Sequence, residues 1–286
     1  LEILDIVHDA GKPEGANDDH WGHVGEFAWV FDGATGLVDE QLTGTASDAA
    51  WLTQAGTDAL KARAPAHRGP LTALVDEAIG DVARRFETEA LHQPVERYER
   101  PTAALILVHQ RGGTLECLNF GDCKLLLRHG DGRFESFGSN PENEALETHL
   151  ATRFSEQRKA QGDAGDPNRH RSTVVERLRK IRNRHNVAGG YWVFGLDPAA
   201  AEHARTASLA LEGPATGLLM TDGFEALAGD YGRYTEEGLL AAALDKGLAS
   251  LIGELRHIER VLDPEAHRYP RFKQSDDATA VLFRAG

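Results

Sequence analysis

Four short acidic segments are the residues of this chain whose types and spacing could do chemistry. They are Asn17–Asp19, Asp32–Gly33, Asp222–Gly223 and Asp276–Asp277. Three of them adjoin an apolar run of the length that is typical of a buried strand. A carboxylate at the end of a buried strand is costly unless it is paired or binds a metal. Several such carboxylates, brought together by a sheet, would form an oxygen-rich site for a hard divalent cation.

Glycine follows the aspartate in two of these segments, Asp32–Gly33 and Asp222–Gly223. It allows the backbone to approach a bound group closely, and it can leave a carbonyl oxygen available as a ligand. A further pair, Asp131–Gly132, lies between two predicted strands. We interpret that pair as a hairpin turn with no function.

The elements that must position the aspartates occur in groups of strands and groups of helices. Apolar runs and alternation predict strands at residues 1–7, 27–31, 103–109, 114–120, 124–128, 134–137, 191–194, 206–211, 217–221 and 278–283. Helical periodicity predicts helices at residues 46–64, 71–91, 144–159, 172–187, 236–248 and 251–262, with Ser47 as the cap of the first.

The order of these elements decides the fold class that we expect. Residues 103–137 hold four consecutive predicted strands, which indicate one antiparallel meander. Long helices are grouped rather than alternating with single strands. The pattern therefore favours an α+β fold with antiparallel sheets over a doubly wound parallel sheet.

Composition limits the function further. The 286 residues carry a net charge of −14, which disfavours binding to nucleic acid or to an anionic membrane. Cys117 and Cys123 are the two cysteines, and both adjoin apolar runs. We therefore expect reduced core thiols rather than a disulfide scaffold or a cysteine zinc site. No run approaches the length of about 18 apolar residues of a membrane helix and no signal peptide is visible, so we expect a cytoplasmic protein.

Five segments in the same order resemble the motifs of the PPM-type, or type 2C, metal-dependent protein phosphatases. They are Asn17–Asp19, Val30–Gly33, Phe120–Cys123, Met220–Phe224 and Ser275–Thr279. Each motif is weak alone, but the five together cover nearly the whole chain. The resemblance implies a four-layer α-β-β-α sandwich, in which two antiparallel sheets pack face to face between helices. It also implies one phosphatase domain over residues 1–286, with a variable basic helical flap around residues 140–190.

The resemblance further implies a cofactor of two, or three, Mn²⁺ or Mg²⁺ ions in a cleft at one edge of the sandwich. Asp32 would bridge two ions, and Asp222 and Asp276 would complete the protein ligands of the first. The Gly33 carbonyl would bind the second ion, with Asp18 reaching it directly or through water.

Two further aspartates take roles from the same resemblance. Asp19 would orient the attacking water, so that Asp18 and Asp19 are the candidate catalytic residues beside the metals. Asp122 would help Asp222 to hold a third, weaker ion. Asp277 stands where the family usually has asparagine, so its role is open.

The sequence departs from the family at two positions that matter for catalysis. Ala34 occupies the position of a histidine thought to protonate the leaving group, and Glu14 occupies that of an arginine that grips the phosphate. Lys12, His20 and His23 lie near in sequence and are alternative substrate-binding residues, although solvated loop residues are the simpler interpretation.

A cluster of positive charge in this acidic chain offers another substitute for the missing arginine. The cluster comprises Arg153, Arg158, Lys159, Arg169, Arg171, Arg177, Arg179, Lys180, Arg182 and Arg184. We hypothesise that it recognises a phosphorylated or acidic partner, with Arg177 and Arg182 as candidate substrate-binding residues. The alternative is the solvated face of an amphipathic helix.

The function that follows is hydrolysis of phosphomonoesters, with phosphoserine and phosphothreonine proteins as the expected substrates. Two alternatives stay open at this point. The first is a pseudophosphatase that keeps the fold and serves as a binding or regulatory module, which Ala34 and Glu14 favour. The second is a phosphatase for a small phosphorylated metabolite. The sequence does not give the oligomeric state.

Overall fold

Ten strands form two antiparallel sheets in the computed structural model, which describes residues 1–12, 14–38, 40–138, 152 and 172–286. The strands are β1 Glu2–Asp9, β2 His20–Val24, β3 Phe27–Gly33, β4 Ala103–Arg111, β5 Thr114–Phe120, β6 Lys124–His129, β7 Phe134–Phe137, β8 Arg205–Ala210, β9 Ala215–Met220 and β10 Ala278–Ala285. Sheet 1 has the order β1-β10-β9-β6-β7, and sheet 2 has the order β2-β3-β4-β5-β8.

The helices of the described residues pack on the outer face of a sheet or on the loops that follow its strands. They are α1 Asp48–Arg63, α2 Leu71–Glu89, α3 Ser172–Arg182, the one-turn helix α4 Asp222–Glu225, α5 Glu236–Lys246 and α6 Leu248–His257, which continues as a π turn over Ile258–Leu262. Short 3₁₀ turns lie at Ala64–Ala66, Arg97–Glu99 and Pro198–His203.

Strand β3 is buried on both faces, which explains why its apolar residues do not alternate with polar ones. Its odd residues, such as Trp29 and Phe31, pack in the core between sheet 2 and helices α1 and α2. Its even residues Ala28 and Val30 pack in the core between the two sheets. A third core lies between sheet 1 and helices α5 and α6. Because the strand is buried on both faces, both sets of residues must be apolar. The three cores define the expected four-layer α-β-β-α sandwich.

Two predictions for the helices that cover sheet 2 are confirmed, namely the cap of α1 and the buried face of α2. Ser47 caps α1 by accepting a hydrogen bond from the N–H of Ala50 at 3.3 Å. All seven apolar residues that recur at helical spacing in α2, from Leu71 to Phe86, are buried. Burying this one face fixes the helix against sheet 2.

The predicted meander over residues 103–137 is wrong in one respect. Strands β4 and β5 pair in sheet 2, whereas β6 and β7 pair in sheet 1. The chain changes sheets at Gly121–Cys123, where Gly121 has a φ of +77°. Strands β4 and β6 are apolar on both faces, so the pattern alone does not indicate which sheet each of them joins.

Two smaller differences concern short strands. Residues 191–194 form isolated bridges, Tyr191 with His185 and Phe194 with Ala103, instead of a strand. Strand β2 is absent from the prediction because its five residues, which mix histidine and glycine with Trp21 and Val24, form no apolar run, as an edge strand allows. The predicted helix at residues 144–159 lies outside the described residues. Within the described part of the chain, no helix is long and apolar enough to cross a membrane.

Candidate metal centre

The predicted acidic segments meet at one end of the sandwich because of the strand register. Lys124 pairs with Met220, which pairs with Ala280. This register brings the start of β6, the end of β9 and the start of β10 to the same edge. Asp122, Asp222 and Asp276 therefore leave sheet 1 side by side, and the end of β3 brings Asp32 to them from sheet 2.

Asp32 and Asp222 form the centre of this arrangement, since each carboxyl group lies close enough to alter the pKa of the other. Together with Gly33, Asp122 and Asp276 they line a cavity of about 310 Å³. Oxygens of Asp32 and Asp122 lie within 4.8 Å of one another. Predicted residues from four of the five motifs thus share one cavity.

Asp18 and Asp19 reach the centre from the loop before β2, and both are buried. Thr221, the residue before Asp222, donates a hydrogen bond from Oγ1 to Oδ2 of Asp19 at 2.9 Å. Ser47 donates to Oδ1 of Asp18. Asp18 also lines a second cavity of about 230 Å³, which Asp276 and Asp277 share. The side chains of both aspartates are therefore held by hydroxyl donors.

Gly33 and Gly223 are required by close backbone contacts between the motifs. A Cβ on Gly33 would lie 2.3 Å from the carbonyl oxygen of Asp18, and a Cβ on Gly223 would lie 1.9 Å from that of Asp277. Such distances exclude any side chain. The glycine of each Asp-Gly pair therefore lets its loop pack directly on another acidic loop.

The carboxylates of the centre repel one another. Burial, and then the charges of Asp222 and Asp19, raise the pKa of Asp32 well above its ordinary value. Burial, and then Asp276 and Asp122, raise the pKa of Asp222 to about 7. Burial, and then Asp277, raise the pKa of Asp19 well above its ordinary value. Carboxylates that are this crowded are stabilised in their charged form by a cation.

The donor set fits a hard divalent cation. It consists of the carboxylate oxygens of the aspartates that line the cavity, and oxygen is the ligand atom that Mg²⁺ and Mn²⁺ prefer. The thiol of Cys123 lies within 4.8 Å of oxygens of Asp32 and Asp122. Burial, and then the charge of Asp32, raise the pKa of Cys123 well above its ordinary value, as is typical of a core thiol.

Comparison with known proteins agrees with this geometry. The sequence profile described as protein phosphatase 2C matches residues 14–251. The chain belongs to the protein phosphatase 2C family. No curated protein matches it.

Solved structures of phosphatases share the fold along the whole chain. The catalytic domain of the serine/threonine protein phosphatase PstP in complex with two manganese ions is 16% identical, with 97% of this chain and 95% of that one covered and a TM-score of 0.52. PstP/Ppp from Mycobacterium tuberculosis is 16% identical, with 99% and 98% covered and a TM-score of 0.55. Stp1 from Staphylococcus aureus is 15% identical, with 97% and 92% covered and a TM-score of 0.52. The predicted family and fold are confirmed.

Lys273 is a residue of this phosphatase centre that the sequence analysis missed. Its ammonium lies 2.5 Å from Oδ1 of Asp276 and 3.4 Å from Oγ1 of Thr35. Burial would lower the pKa of Lys273, but the charge of Asp276 and the hydrogen bond to it outweigh burial and raise that pKa. The same contact keeps the pKa of Asp276 below its ordinary value against the effect of burial. The only sequence signal is its spacing of three residues from Asp276.

Ala34 and Glu14, the two positions at which the sequence departs from the family, differ in their surroundings. Ala34 lines the 310 Å³ cavity, and its N–H donates to the carbonyl of Thr102 at 2.9 Å. Glu14 is exposed, and so is Lys12, which lines the second cavity. His20 contacts Oε1 of Gln54 through Nε2 at 2.7 Å. Of the residues predicted to bind substrate in place of the missing arginine, Lys12 thus lines a cavity that Asp18 also lines.

The basic helix α3 packs over the loop that follows β3. Arg182 lines the cavity and donates from Nη1 to the carbonyl of Thr35 at 3.0 Å. Arg179 donates from Nη2 to the carbonyl of Leu37 at 2.8 Å. Arg177 is exposed. The predicted cations Arg153, Arg158, Lys159, Arg169 and Arg171 lie outside the described residues.

Proposed function

We propose that this chain hydrolyses phosphoserine and phosphothreonine in proteins, using two Mn²⁺ or Mg²⁺ ions, or three. The observation that carries the proposal is the convergence of four aspartates, Asp32, Asp122, Asp222 and Asp276, on one cavity. Two divalent cations supply an activated water near neutral pH and neutralise the phosphoryl oxygens. The two manganese ions of PstP support this number of ions.

Different residues of the chain are proposed to bind each of the two cations. Asp32 and Asp222 line one cavity, and an oxygen of Asp32 lies within 4.8 Å of an oxygen of Asp122, which supports a bridging role for Asp32. Asp222 and Asp276, which adjoin it, are proposed ligands of the first ion. The Gly33 carbonyl and Asp18 are proposed ligands of the second, since the backbones of the two residues are in contact.

Asp19 is proposed to hold the attacking water by accepting its proton in a hydrogen bond. The hydroxyl of Thr221 fixes one oxygen of Asp19, which leaves the other to face the water. Asp122 and Asp222 are proposed to hold a third ion. Asp122 lines the same cavity as Asp222 and raises its pKa, which supports a shared cation.

The substrate is proposed to approach across α3 and the loop before β2. Arg182 and Lys12, which line the two cavities, are proposed to meet its negative charge, together with the exposed Arg177 and with His20. We further propose one phosphatase domain over residues 1–286, with a basic flap around residues 140–190. The buried free thiols of Cys117 and Cys123 support a cytoplasmic location for this signalling role.

The test uses p-nitrophenyl phosphate and a phosphothreonine peptide with the wild-type protein and with Asp32→Asn and Asp222→Asn. We expect turnover with Mn²⁺ or Mg²⁺, none with chelator, and a loss of at least about a hundredfold in both variants. Calorimetry with Mn²⁺ gives a readout that does not depend on activity. The matched control is Asp131→Asn in the β6–β7 turn, where the side chain accepts only from the N–H of Arg133 at 2.9 Å among the contacts described.

Three outcomes would contradict the proposal. Unchanged turnover in Asp32→Asn would remove the aspartate centre from the reaction. Manganese binding without turnover of any phosphoester would indicate a binding module instead of an enzyme. Turnover of phosphorylated metabolites alone, in a panel that includes phosphopeptides, would replace the protein substrate with a small molecule.

A further inference from the structure

A phosphate dianion that enters this centre meets several aspartates, so the chain must supply positive charge of its own. Two cationic side chains of the described residues line the 310 Å³ cavity, Arg182 and Lys273. Arg182 reaches the cavity from α3 and is hydrogen-bonded to the carbonyl of Thr35. Lys273 comes from the loop before β10 and contacts a carboxylate of the centre directly.

Lys273 stands at the boundary between the two cavities of the site. Lys273, Thr35 and Asp276 line both the 310 Å³ cavity and the 230 Å³ cavity. An anion that entered from either side would therefore meet the same ammonium. About a quarter of the side chain, 26%, is exposed, which leaves room for a further contact.

The contacts of Lys273 leave its ammonium able to bind an anion. An ammonium has three hydrogen-bond donors, and the described contacts are one at 2.5 Å to Asp276 and one at 3.4 Å to Thr35. Oδ1 of Asp276 also accepts from the N–H of Asp277 at 2.9 Å. Asp276 therefore keeps a hydrogen bond when Lys273 turns away on its flexible four-carbon chain.

We propose that Lys273 binds the phosphoryl group of the substrate, and that its ion pair with Asp276 is the position it occupies when no substrate is bound. The role rests on the proposed phosphatase function of the same centre. It also gives a reason for the acidic residue Glu14 at the position where the family has an arginine, since the cation comes from the loop before β10 instead. Lysine binds phosphate as a point charge.

A merely structural role for Lys273 predicts a different effect of its removal on phosphate binding. If the ammonium only neutralises Asp276, its removal makes the centre more negative, so Mn²⁺ binds equally well or more tightly and inorganic phosphate binds as before. If the ammonium holds the phosphoryl group, its removal weakens the binding of phosphate even when Mn²⁺ is saturating.

The experiment measures the KM for p-nitrophenyl phosphate, the competitive inhibition constant of inorganic phosphate, and the Mn²⁺ affinity by calorimetry. Lys273→Met removes the charge at similar size, and Lys273→Arg keeps the charge. We expect Lys273→Met to raise KM and the phosphate inhibition constant by about tenfold to a hundredfold, with Mn²⁺ bound at least as tightly. Lys273→Arg should stay within about threefold of wild type. Lys61→Met, at an exposed position in the last turn of α1, is the control and should change neither constant.

A phosphate inhibition constant within twofold of wild type in Lys273→Met would overturn the proposal. If that variant does not fold, as judged by circular dichroism, Lys273→Gln takes its place under the same criterion. A wild-type protein that shows no turnover contradicts the proposed function, whereas phosphate binding by calorimetry still tests Lys273. Loss of phosphate binding in Lys273→Met would then support Lys273, and wild-type protein that binds no phosphate would overturn it.

Discussion

The carboxylate of Asp277 accepts a hydrogen bond from the backbone N–H of Asp18 at 2.7 Å, although 259 positions separate the two residues. Its other oxygen accepts from the N–H of Gly11 at 2.8 Å. One side chain thus ties the loop before β2 to the loop before β10. Asparagine offers a single acceptor oxygen, so the two N–H partners explain why an aspartate stands here.

Replacement of Asp277 should lower stability in proportion to the acceptors that are lost. Asp277→Asn keeps one hydrogen bond and removes a charge that burial opposes, so we expect a loss of about 1 kcal/mol in the free energy of unfolding. Asp277→Ala leaves both N–H groups without this acceptor and should cost about 2–3 kcal/mol. Urea unfolding in the presence of chelator measures both. Equal stability of the two variants and wild type would contradict the role of Asp277.

The sequence predicts the positions of the aspartates better than the connections between the strands. Asp32, Asp222 and Asp276 adjoin apolar runs, and such runs form buried strands whose ends meet at the edges of sheets. The sheet that each strand joins depends on packing between faces that are both apolar. The sequence therefore predicts that β4 to β7 exist and does not predict that the chain changes sheets at Gly121.

Lys273 shows a second limit of the sequence. A lysine in a polar loop has no periodicity that marks it as functional, and its contact with Asp276 arises from the turn between them. Strand β2 was missed for a related reason, because this edge strand pairs with β3 alone and its short mixed sequence forms no apolar run. Pattern identifies residues that are buried by regular structure, and it does not identify those that are positioned by loops.

Gly33 and Gly223 should not tolerate alanine. The new methyl group would overlap the carbonyl oxygen of Asp18 in one variant and that of Asp277 in the other. We expect Gly33→Ala and Gly223→Ala to lose about 1–3 kcal/mol of stability and at least about a hundredfold in activity, because the acidic loops must move apart. Thermal unfolding and phosphoester turnover measure the two effects.

The matched control for these glycines is Gly253→Ala in the middle of α6. A Cβ at Gly253 meets nothing within 4 Å, and alanine favours the helix. We expect unchanged activity and an equal or slightly higher melting temperature. A similar loss of activity in all three variants would show that close packing of the acidic loops is not the reason.

Asp263 should make the stability of the loop before β10 depend on pH. Its carboxylate accepts from the N–H groups of His267, Arg268 and Tyr269 at 2.8–3.0 Å and from Nη1 of Arg271 at 2.9 Å. Burial would raise the pKa of Asp263, but these bonds outweigh burial and lower it. Asp263→Asn should therefore cost about 2–3 kcal/mol at pH 7.

The sign of the pH effect follows from this lowered pKa. The unfolded chain takes up a proton near pH 4, while folded Asp263 does so at a lower pH. Its contribution is thus present above about pH 4 and is lost as the pH falls through the folded pKa. We expect the gap in stability between wild type and Asp263→Asn, measured by urea unfolding, to narrow from pH 7 to pH 3. A gap that stayed constant would contradict the ionised role of Asp263.

Arg177 should affect one class of substrate and Arg182 should affect both, because Arg177 is exposed on α3 and Arg182 lines the cavity. Arg177→Ala should raise the KM for a phosphopeptide with acidic flanking residues by about two- to fivefold and leave the KM for p-nitrophenyl phosphate unchanged. Arg182→Ala should raise both values, since its side chain reaches the cavity and the Thr35 carbonyl.

The effects of the two arginine substitutions on KM should also differ in their dependence on salt. The contribution of an exposed charge is screened, so the effect of Arg177→Ala should disappear at about 0.5 M NaCl, while that of Arg182→Ala should largely persist. Arg284→Ala is the control, because Arg284 pairs with Glu2 near the end of β10 that lies away from Asp276. If Arg177→Ala and Arg284→Ala gave the same KM as wild type for the acidic phosphopeptide, α3 would present a solvated face there instead of a surface for the substrate.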